Sequence, residues 1–489
     1  MRFRGASCAF KSSPGVCSAM GEGMPLFLRG LLPLWIALAA LCLTVPTRVA
    51  ADDAVLSAPA FPDIDALASR MKKNQDLYRK IRDEALAGYA QRNPQPHPYD
   101  EKVKTILRLQ AYLCVWEDFY GEGLWQRGQS YATHAQAEDA DEPMVSEFLN
   151  LSSSDPDADG RNIIEPILTG AYPAAFKLKA CRRAIAGLGD SQGTTPADNA
   201  SPIAKNRARW LTEWGNAYRE MLKQGAPHGW LYDRGEELQN AVQSDQQMLD
   251  LAISEQDRAF NEVDPQNPVK QELDGDYFIN AAWCARGSGY ANTVSDQGWD
   301  LFRHRLAAAA TILEPLYDLY PKEVNICKAM MTVELGQGQG RDRMELWFHR
   351  GIQADPDDYG LYKSKEWYLL PRWYGSVDDI TAFGHECVAG GNWSSKIPMI
   401  LPVGIAESSD NEGAIYSDPK VWATLQIVYR EYLSRYPNAI FFRTNYAKHA
   451  FDGDHLDVAR EQFKILGEDW DRDVLSDAQM ADIRAQLAK

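Results

Sequence analysis

The sequence is poor in the patterns that name a chemistry. Its Gly-rich stretch, Gly336-Gln337-Gly338-Gln339-Gly340, has no Lys-Ser or Lys-Thr behind it and no strand pattern ahead. That excludes a phosphate-cradling loop and leaves the turn of a helical hairpin. His385-Glu386 lacks the second His of a zinc helix, and the eight His are otherwise scattered. Beyond residue 51 the cysteines are Cys114, Cys181, Cys284, Cys327 and Cys387, with no Cys-x-x-Cys pair, which removes zinc ribbons and dithiol redox centres. An odd number leaves at least one thiol unpaired in the chain. The expectation is a set of small buried hydrophobes, with one disulfide between two of them left open. Strand-like alternation of apolar and polar residues is missing too. Basic residues are in deficit: 51 Lys and Arg stand against 68 Asp and Glu, a net charge of −17. A surface of that sign repels phosphate backbones, so nucleic acid is not an expected partner. No cofactor is indicated.

What is present is a globular composition in a long chain. Of 489 residues, 45% are hydrophobic and 24% charged, which excludes wholesale disorder and implies two or three domains or one extended array. Fourteen Trp and 22 Tyr are enough to fill many helix contacts or to line a groove. No charge lies between Arg29 and Arg48, and Leu31 to Val45 is almost wholly apolar, short of the about 20 residues a transmembrane helix needs. Val49 and Ala51 stand at −3 and −1 of a signal-peptidase site before Asp52. Residues 1–51 are therefore expected to be a cleaved export leader, with an uncleaved anchor as the alternative. Met1, Met20 and Met24 are candidate starts, and Met24 gives a leader of ordinary length. Leu41 before Cys42 rules out a lipoprotein box. Removing the leader, with five basic residues and one acid, leaves −21. The expected address is the periplasm or the exterior, without stable membrane insertion after leader removal.

After the leader, apolar residues recur at three and four, the period of a helix. Phe302, Leu306, Ala310, Leu313, Tyr317 and Tyr320 trace one face of a long helix opening near Ser295 or Asp296, with Pro315 expected to kink it near Thr311. Ser376 with Asp379, and Ser476 with Gln479, are capping boxes, and the first helix ends at Gly390-Gly391. Gly187 to Pro202 reads as a flexible linker. The expected domains are an N-terminal helical region 52–186, a linker 187–204 and a C-terminal helical-repeat domain 205–489. Helix stops at Tyr320-Pro321, Asp355-Pro356 and Tyr436-Pro437 fall 35 and 81 residues apart. These intervals suit one and two helix pairs of about 34 to 45 residues. Phe348 and Gly351, and later Gly453-Asp454 with Ala459 and Phe463, fit a tetratricopeptide turn and second helix. The expected fold is all-α, a tetratricopeptide-like helical-repeat solenoid. Another all-α fold, including an α/α toroid, is the alternative.

Two segments carry a family resemblance. One is Trp283-Cys284-Ala285-Arg286-Gly287-Ser288-Gly289-Tyr290-Ala291, followed by Trp299; the other is Trp367-Tyr368-Leu369-Leu370-Pro371-Arg372-Trp373-Tyr374-Gly375-Ser376. Together they resemble an uncharacterised bacterial family, a "domain of unknown function" with Trp-x-Ala-Arg-Gly-x-Gly and Leu-x-Pro-Arg-Trp-x-Gly-Ser motifs, over residues 205 to 470. The resemblance implies a tetratricopeptide-like fold and supplies no activity. Tyr374 stands where the family often has Gly. Read physically, the second segment is a helix-loop-helix joint. Trp367 and Leu370 would face the core, Pro371 stop one helix, Gly375 permit the turn and Ser376 cap the next helix. An always-charged guanidinium beside aromatic rings either pairs with an internal carboxylate or awaits an anionic or peptide ligand. Arg286, Tyr290, Trp367, Arg372 and Trp373 are therefore the candidate residues of a ligand groove.

Asp155, Asp157, Asp159 and Gly160 have the spacing of calcium-loop positions 1, 3, 5 and 6. Glu165 falls at 11 instead of 12, Pro156 restricts the loop and Asn162 replaces an apolar position, so a solvated acidic turn is expected in preference to calcium. The expected function is an exported scaffold that binds a protein or peptide partner in the cell envelope. The alternative is an all-α polysaccharide-binding or polysaccharide-cleaving protein, for which abundant Trp and acidic residues speak. Two inward carboxylates at the bottom of an aromatic cleft would favour it.

Overall fold

Capping residues and Pro or Gly stops cut the chain into helices. The computed structural model describes residues 63–116, 121, 123–149, 163–187, 202–408 and 412–487, and no strand occurs among them. The leader, the acidic segment with Asp155, Asp157 and Asp159, and residues 188–201 of the linker lie outside the described residues. No helix among the described residues is long and apolar enough to cross a membrane. The protein is all-α.

The first helices are α1 (Ile64–Ser69), α2 (Gln75–Arg92), α3 (Asp100–Trp116), α4 (Leu124–Gln136), α5 (Pro143–Leu149), α6 (Glu165–Thr169) and α7 (Ala174–Gly187). Beyond the linker come α8 (Pro202–Lys223), α9 (His228–Val242), α10 (Gln246–Val263) and α11 (Pro268–Arg286). One hydrophobic core runs through all of these, with Phe176 and Ile185 of α7 in the same cluster as Trp214 and Tyr218 of α8. The boundary expected at 187–204 therefore separates no two cores, because the helices on either side bury their apolar faces together. A second core takes in α12 (Asp296–Leu319), α13 (Val324–Gln337), α14 (Arg341–Ala354), α15 (Tyr359–Tyr368) and α16 (Val377–Ala389). A third holds α17 (Ile400–Glu407), α18 (Glu412–Tyr416), α19 (Pro419–Arg435), α20 (Ile440–Asp452), α21 (Leu456–Leu466) and α22 (Asp477–Leu487). The first two meet inside α11, where Ala281 belongs to one and Ala282 to the other.

Four joints share one construction. α10 stops at Asp264-Pro265, α12 at Tyr320-Pro321, α14 at Asp355-Pro356 and α19 at Tyr436-Pro437, and four residues then lead to the next helix. At each joint the fourth residue's N–H donates to the first residue's carbonyl at 3.0–3.4 Å. Pro cannot continue the preceding helix, so the chain turns at the same place each time. The helices then open on side-chain caps where the residue allows it. Asn267 accepts from Val269 N–H and Asp358 from Leu361, and away from these joints Ser295 accepts from Gly298 N–H at the start of α12. Both expected capping boxes form: Ser376 Oγ accepts from Asp379 N–H at 3.1 Å, and Ser476 N–H donates to Gln479 Oε1 at 2.9 Å. Gly338 takes a left-handed φ of 63° after α13, so Gly336–Gly340 is a hairpin turn as expected.

α12 runs on through Pro315. Its buried face is Phe302, Leu306, Ala309, Leu313 and Leu316, while Tyr320, placed on that face by periodicity, caps the helix and stays exposed. The N-terminal helices also reach far along the sequence. Trp230 Nε1 donates to the Cys114 carbonyl at 2.9 Å, Lys72 pairs with Asp357 at 2.5 Å, and the Gly121 carbonyl accepts from Phe441 N–H at 3.1 Å. All five described cysteines are unpaired. Cys114, Cys181, Cys327 and Cys387 are buried, and burial pushes the Cys114 thiol to about 11 and those of Cys327 and Cys387 to about 12. Such thiols are inert packing groups. Cys284 is half-buried.

Candidate functional site

A cavity of about 1100 Å³ opens between alternate helices. Each of four helices presents one stripe to it. α9 gives Tyr232, Glu236 and Asn240; α11 gives Asp276, Asn280 and Trp283; α13 gives Lys328, Thr332 and Leu335; α15 gives Gly360, Ser364 and Trp367. Those spacings of four, then three or four, are what a single helical face requires. The helices between them, α10, α12 and α14, contribute no lining residue. Two turns complete the wall, one through Arg286, Gly287 and Ser288 and the other through Trp373.

The floor is acidic. Asp276 is 6% exposed, shares a hydrogen bond with Tyr232, and its Oδ2 has no hydrogen-bond partner. Burial, then the neighbouring Glu236 charge, holds Asp276 well above the usual carboxylate range. Burial raises Glu236 as well, against the opposing pull of Lys328 and a hydrogen bond from Asn240. Lys328 meets the same burial penalty, yet Asp358, Asp233 and Glu236 raise its pKa and keep it a cation. The Glu236 charge thus disfavours ionisation of Asp276. The unpaired Oδ2 is the notable atom, because a buried polar atom without a partner is costly and rare. One turn back along α9 and α11 sits a second polar group. His228 Nε2 lies 2.8 Å from Glu272 Oε1 and 3.3 Å from Glu323 Oε2.

The rim is aromatic, and here the two sequence motifs meet. Trp283 and Trp373 pack edge to face with ring centres 5.7 Å apart, and both indole N–H groups lack partners. Trp283 also stands edge-on to Phe302 at 4.9 Å, which fixes its plane. Arg286 lines the cavity; its guanidinium donates to the Gly287 and Gly289 carbonyls and lies 5.6 Å from the rings of Trp283 and Trp299. Arg372 is exposed and stacks on Trp367 at 4.0 Å.

Of the five candidate groove residues, Arg286, Trp367 and Trp373 line the cavity. Arg372 borders it through Trp367, and Tyr290 stands away from the lining at 84% exposure. Trp367 does not face the core, as the joint reading expected: it is 39% exposed and turned to the cavity, while Leu370 and Tyr368 fill the core. Sequence reading missed Tyr232, Glu236, Asp276, Asn280 and Lys328. Their signal was a polar stripe at four-residue spacing, shared by α9, α11 and α13.

The letters of a serine elbow occur once, at Gly189-Asp190-Ser191-Gln192-Gly193, outside the described residues. The helix α7, not a strand, precedes them, so the strand-turn-helix setting is missing. Glu165, the last acid of the calcium spacing, pairs with Arg209. Compared with protein-family models, curated proteins and solved structures, the chain has no match.

Proposed function

We propose that the protein is an exported helical-repeat binding protein whose cleft receives an extended polypeptide segment in the cell envelope. The observation that carries this reading is the convergence of one stripe from each of α9, α11, α13 and α15 on a single cavity. Stacked helix pairs build a concave binding face in this way, and the four equal joints and the two motif resemblances support it. The cavity lies at the top of the range of ordinary small-molecule sites and is large enough for a segment of chain. Asn280, Thr332 and Ser364 offer donors and acceptors for a peptide backbone, and Trp283, Trp367 and Trp373 offer faces for its side chains. Asp276, with its unpaired oxygen, selects a segment that carries an amine or another donor.

Asp276→Asn separates stability from function. The carboxyl's folded pKa lies above its unfolded value, so its pH-dependent cost is absent below about pH 3.8 and grows above it. Removing the charge is therefore expected to raise Tm at pH 8, by an amount that shrinks toward pH 4. The same change should weaken binding of Lys-containing peptides, read by Trp fluorescence, by about tenfold or more. Wild-type protein that binds no such peptide, or a variant that binds it equally well, would sink the reading. Arg372→Ala is expected to cost only the about 0.5–1 kcal/mol of an exposed cation–π stack, leaving Tm almost unchanged while weakening peptide binding. A variant that unfolds readily would make Arg372 a structural clamp.

A second reading, polysaccharide binding or cleavage, is favoured by one observation: Glu236 and Asp276 line the same cavity as Trp283, Trp367 and Trp373. A raised acid beside a second carboxylate is the pairing that glycoside hydrolysis uses. Release of reducing ends from a soluble glycan, lost in both Asp276→Asn and Glu236→Gln, would move the conclusion there.

A further inference from the structure

We propose that His228, Glu272 and Glu323 form a site for one first-row divalent transition ion, zinc being the probe, at the N-terminal ends of three cleft-lining helices. The three residues come from separate parts of the chain. His228 is the first residue of α9, Glu272 lies in the second turn of α11, and Glu323 is the last residue of the joint before α13. One ligand atom from each lies within 4.8 Å of the others. The imidazole Nε2 is 2.8 Å from Glu272 Oε1 and 3.3 Å from Glu323 Oε2. Ligand atoms around a tetrahedral zinc, each about 2.0–2.1 Å from the metal, sit about 3.3 Å apart. The trio is thus close to ligating distance without rearrangement of the helices.

Glu272 supplies the independent observation. Its side chain is 1% exposed, and its Oε2 has no hydrogen-bond partner although Oε1 is held by His228. A carboxylate so buried needs a cation or a hydrogen-bond donor at each oxygen, and the single imidazole reaches only one. A divalent ion between the three side chains would compensate the pair of carboxylates together. His228 and Glu323 are 25% and 32% exposed, which leaves an entry path and room for a water as fourth ligand.

The donor set decides the class of ion. One imidazole nitrogen and two carboxylates suit first-row transition ions, whereas calcium asks for six to eight oxygens and magnesium for an octahedron of oxygens. The ion would pin α9, α11 and α13 one turn from Tyr232 and Asp276, and so hold the cleft floor in register. This inference does not depend on what occupies the cleft.

The test uses the full chain, stripped with chelator and titrated with zinc by calorimetry, then loaded with cobalt for its visible spectrum. The expected result is one equivalent bound at micromolar affinity or tighter, and an intense four-coordinate cobalt band. His228→Gln and Glu323→Gln, both at partly exposed positions, should each abolish the band. Losing a supporting group around a metal costs about 10- to 100-fold in affinity, and losing a ligand should cost more. Calcium and magnesium should neither bind there nor displace zinc. If the wild type binds no zinc at micromolar concentrations, or both variants bind it as the wild type does, the site is an ordinary ion-pair cluster and the proposal fails.

Discussion

Gly375→Ala is expected to be among the most destabilising single changes in the protein. A Cβ at that position would stand 2.1 Å from the Leu369 carbonyl oxygen and 2.6 Å from its carbon, and both are backbone atoms. No side chain can rotate aside to relieve the clash, so the loop from 369 to 375 itself must move. The loop is held by Trp373 N–H to the Leu370 carbonyl at 2.8 Å and by Tyr374 OH to the Leu335 carbonyl at 3.0 Å. Tyr374 also packs on Tyr368, with ring centres 4.8 Å apart. The expected loss is about 3 kcal/mol, the top of the usual overpacking range. The near-ultraviolet circular dichroism of the cleft should change as well, because the same loop carries Trp373 against Trp283. Thermal melting and that spectrum check it together; a variant that melts within about 1 °C of wild type with an unchanged spectrum would show that the loop gives way cheaply.

Acidification should destabilise the third core through His449. The side chain is 3% exposed, stacked on Tyr416 at 4.2 Å, with Nδ1 3.1 Å from the Tyr429 hydroxyl. Burial, helped by the Lys448 charge, holds its pKa down to about 3, against an ordinary value of 6.5. The folded state therefore keeps a neutral ring while the unfolded chain takes up a proton below pH 6.5. Stability rises with pH wherever the unfolded state binds more protons, so this contribution is whole above 6.5 and is lost progressively as pH falls toward 3. The full span is worth about 5 kcal/mol. Urea unfolding of wild type and His449→Phe at pH 7 and pH 4 isolates it. The phenyl ring cannot titrate, so the wild type should lose several kcal/mol more than the variant between the two pH values. Equal losses would mean that His449 is protonated in the fold.

The same contrast between local and distant causes explains how much of the molecule could be read from its letters. Ser376 and Asp379, or Ser476 and Gln479, cap their own helices with groups three residues away. The joints at Pro321, Pro356 and Pro437 stop helices through a ring that lacks an N–H and clashes backward. Such effects span a few residues, so they are legible without a fold. The fourth joint, at Pro265, is stopped by the same chemistry.

The cleft is of the other kind. Trp367 sits at a position where helical period and joint chemistry both point inward, yet it faces the cavity, because Tyr368, Leu369 and Leu370 already fill the core beneath it. Asp276 and Glu236 are ordinary acids on ordinary helices until α9 and α11 are laid side by side. Their raised pKa values come from burial and, for Asp276, from the Glu236 charge across the cleft, neither of which a single segment contains. His228, Glu272 and Glu323 likewise share no motif spacing. The sequence by itself determined the helices, their caps and stops, and the presence of two aromatic-arginine motifs, since these depend on backbone chemistry within a turn or two. Only the tertiary structure decided that the two motifs meet at one rim over an acidic floor, since burial and charge coupling exist only between segments the fold has brought together.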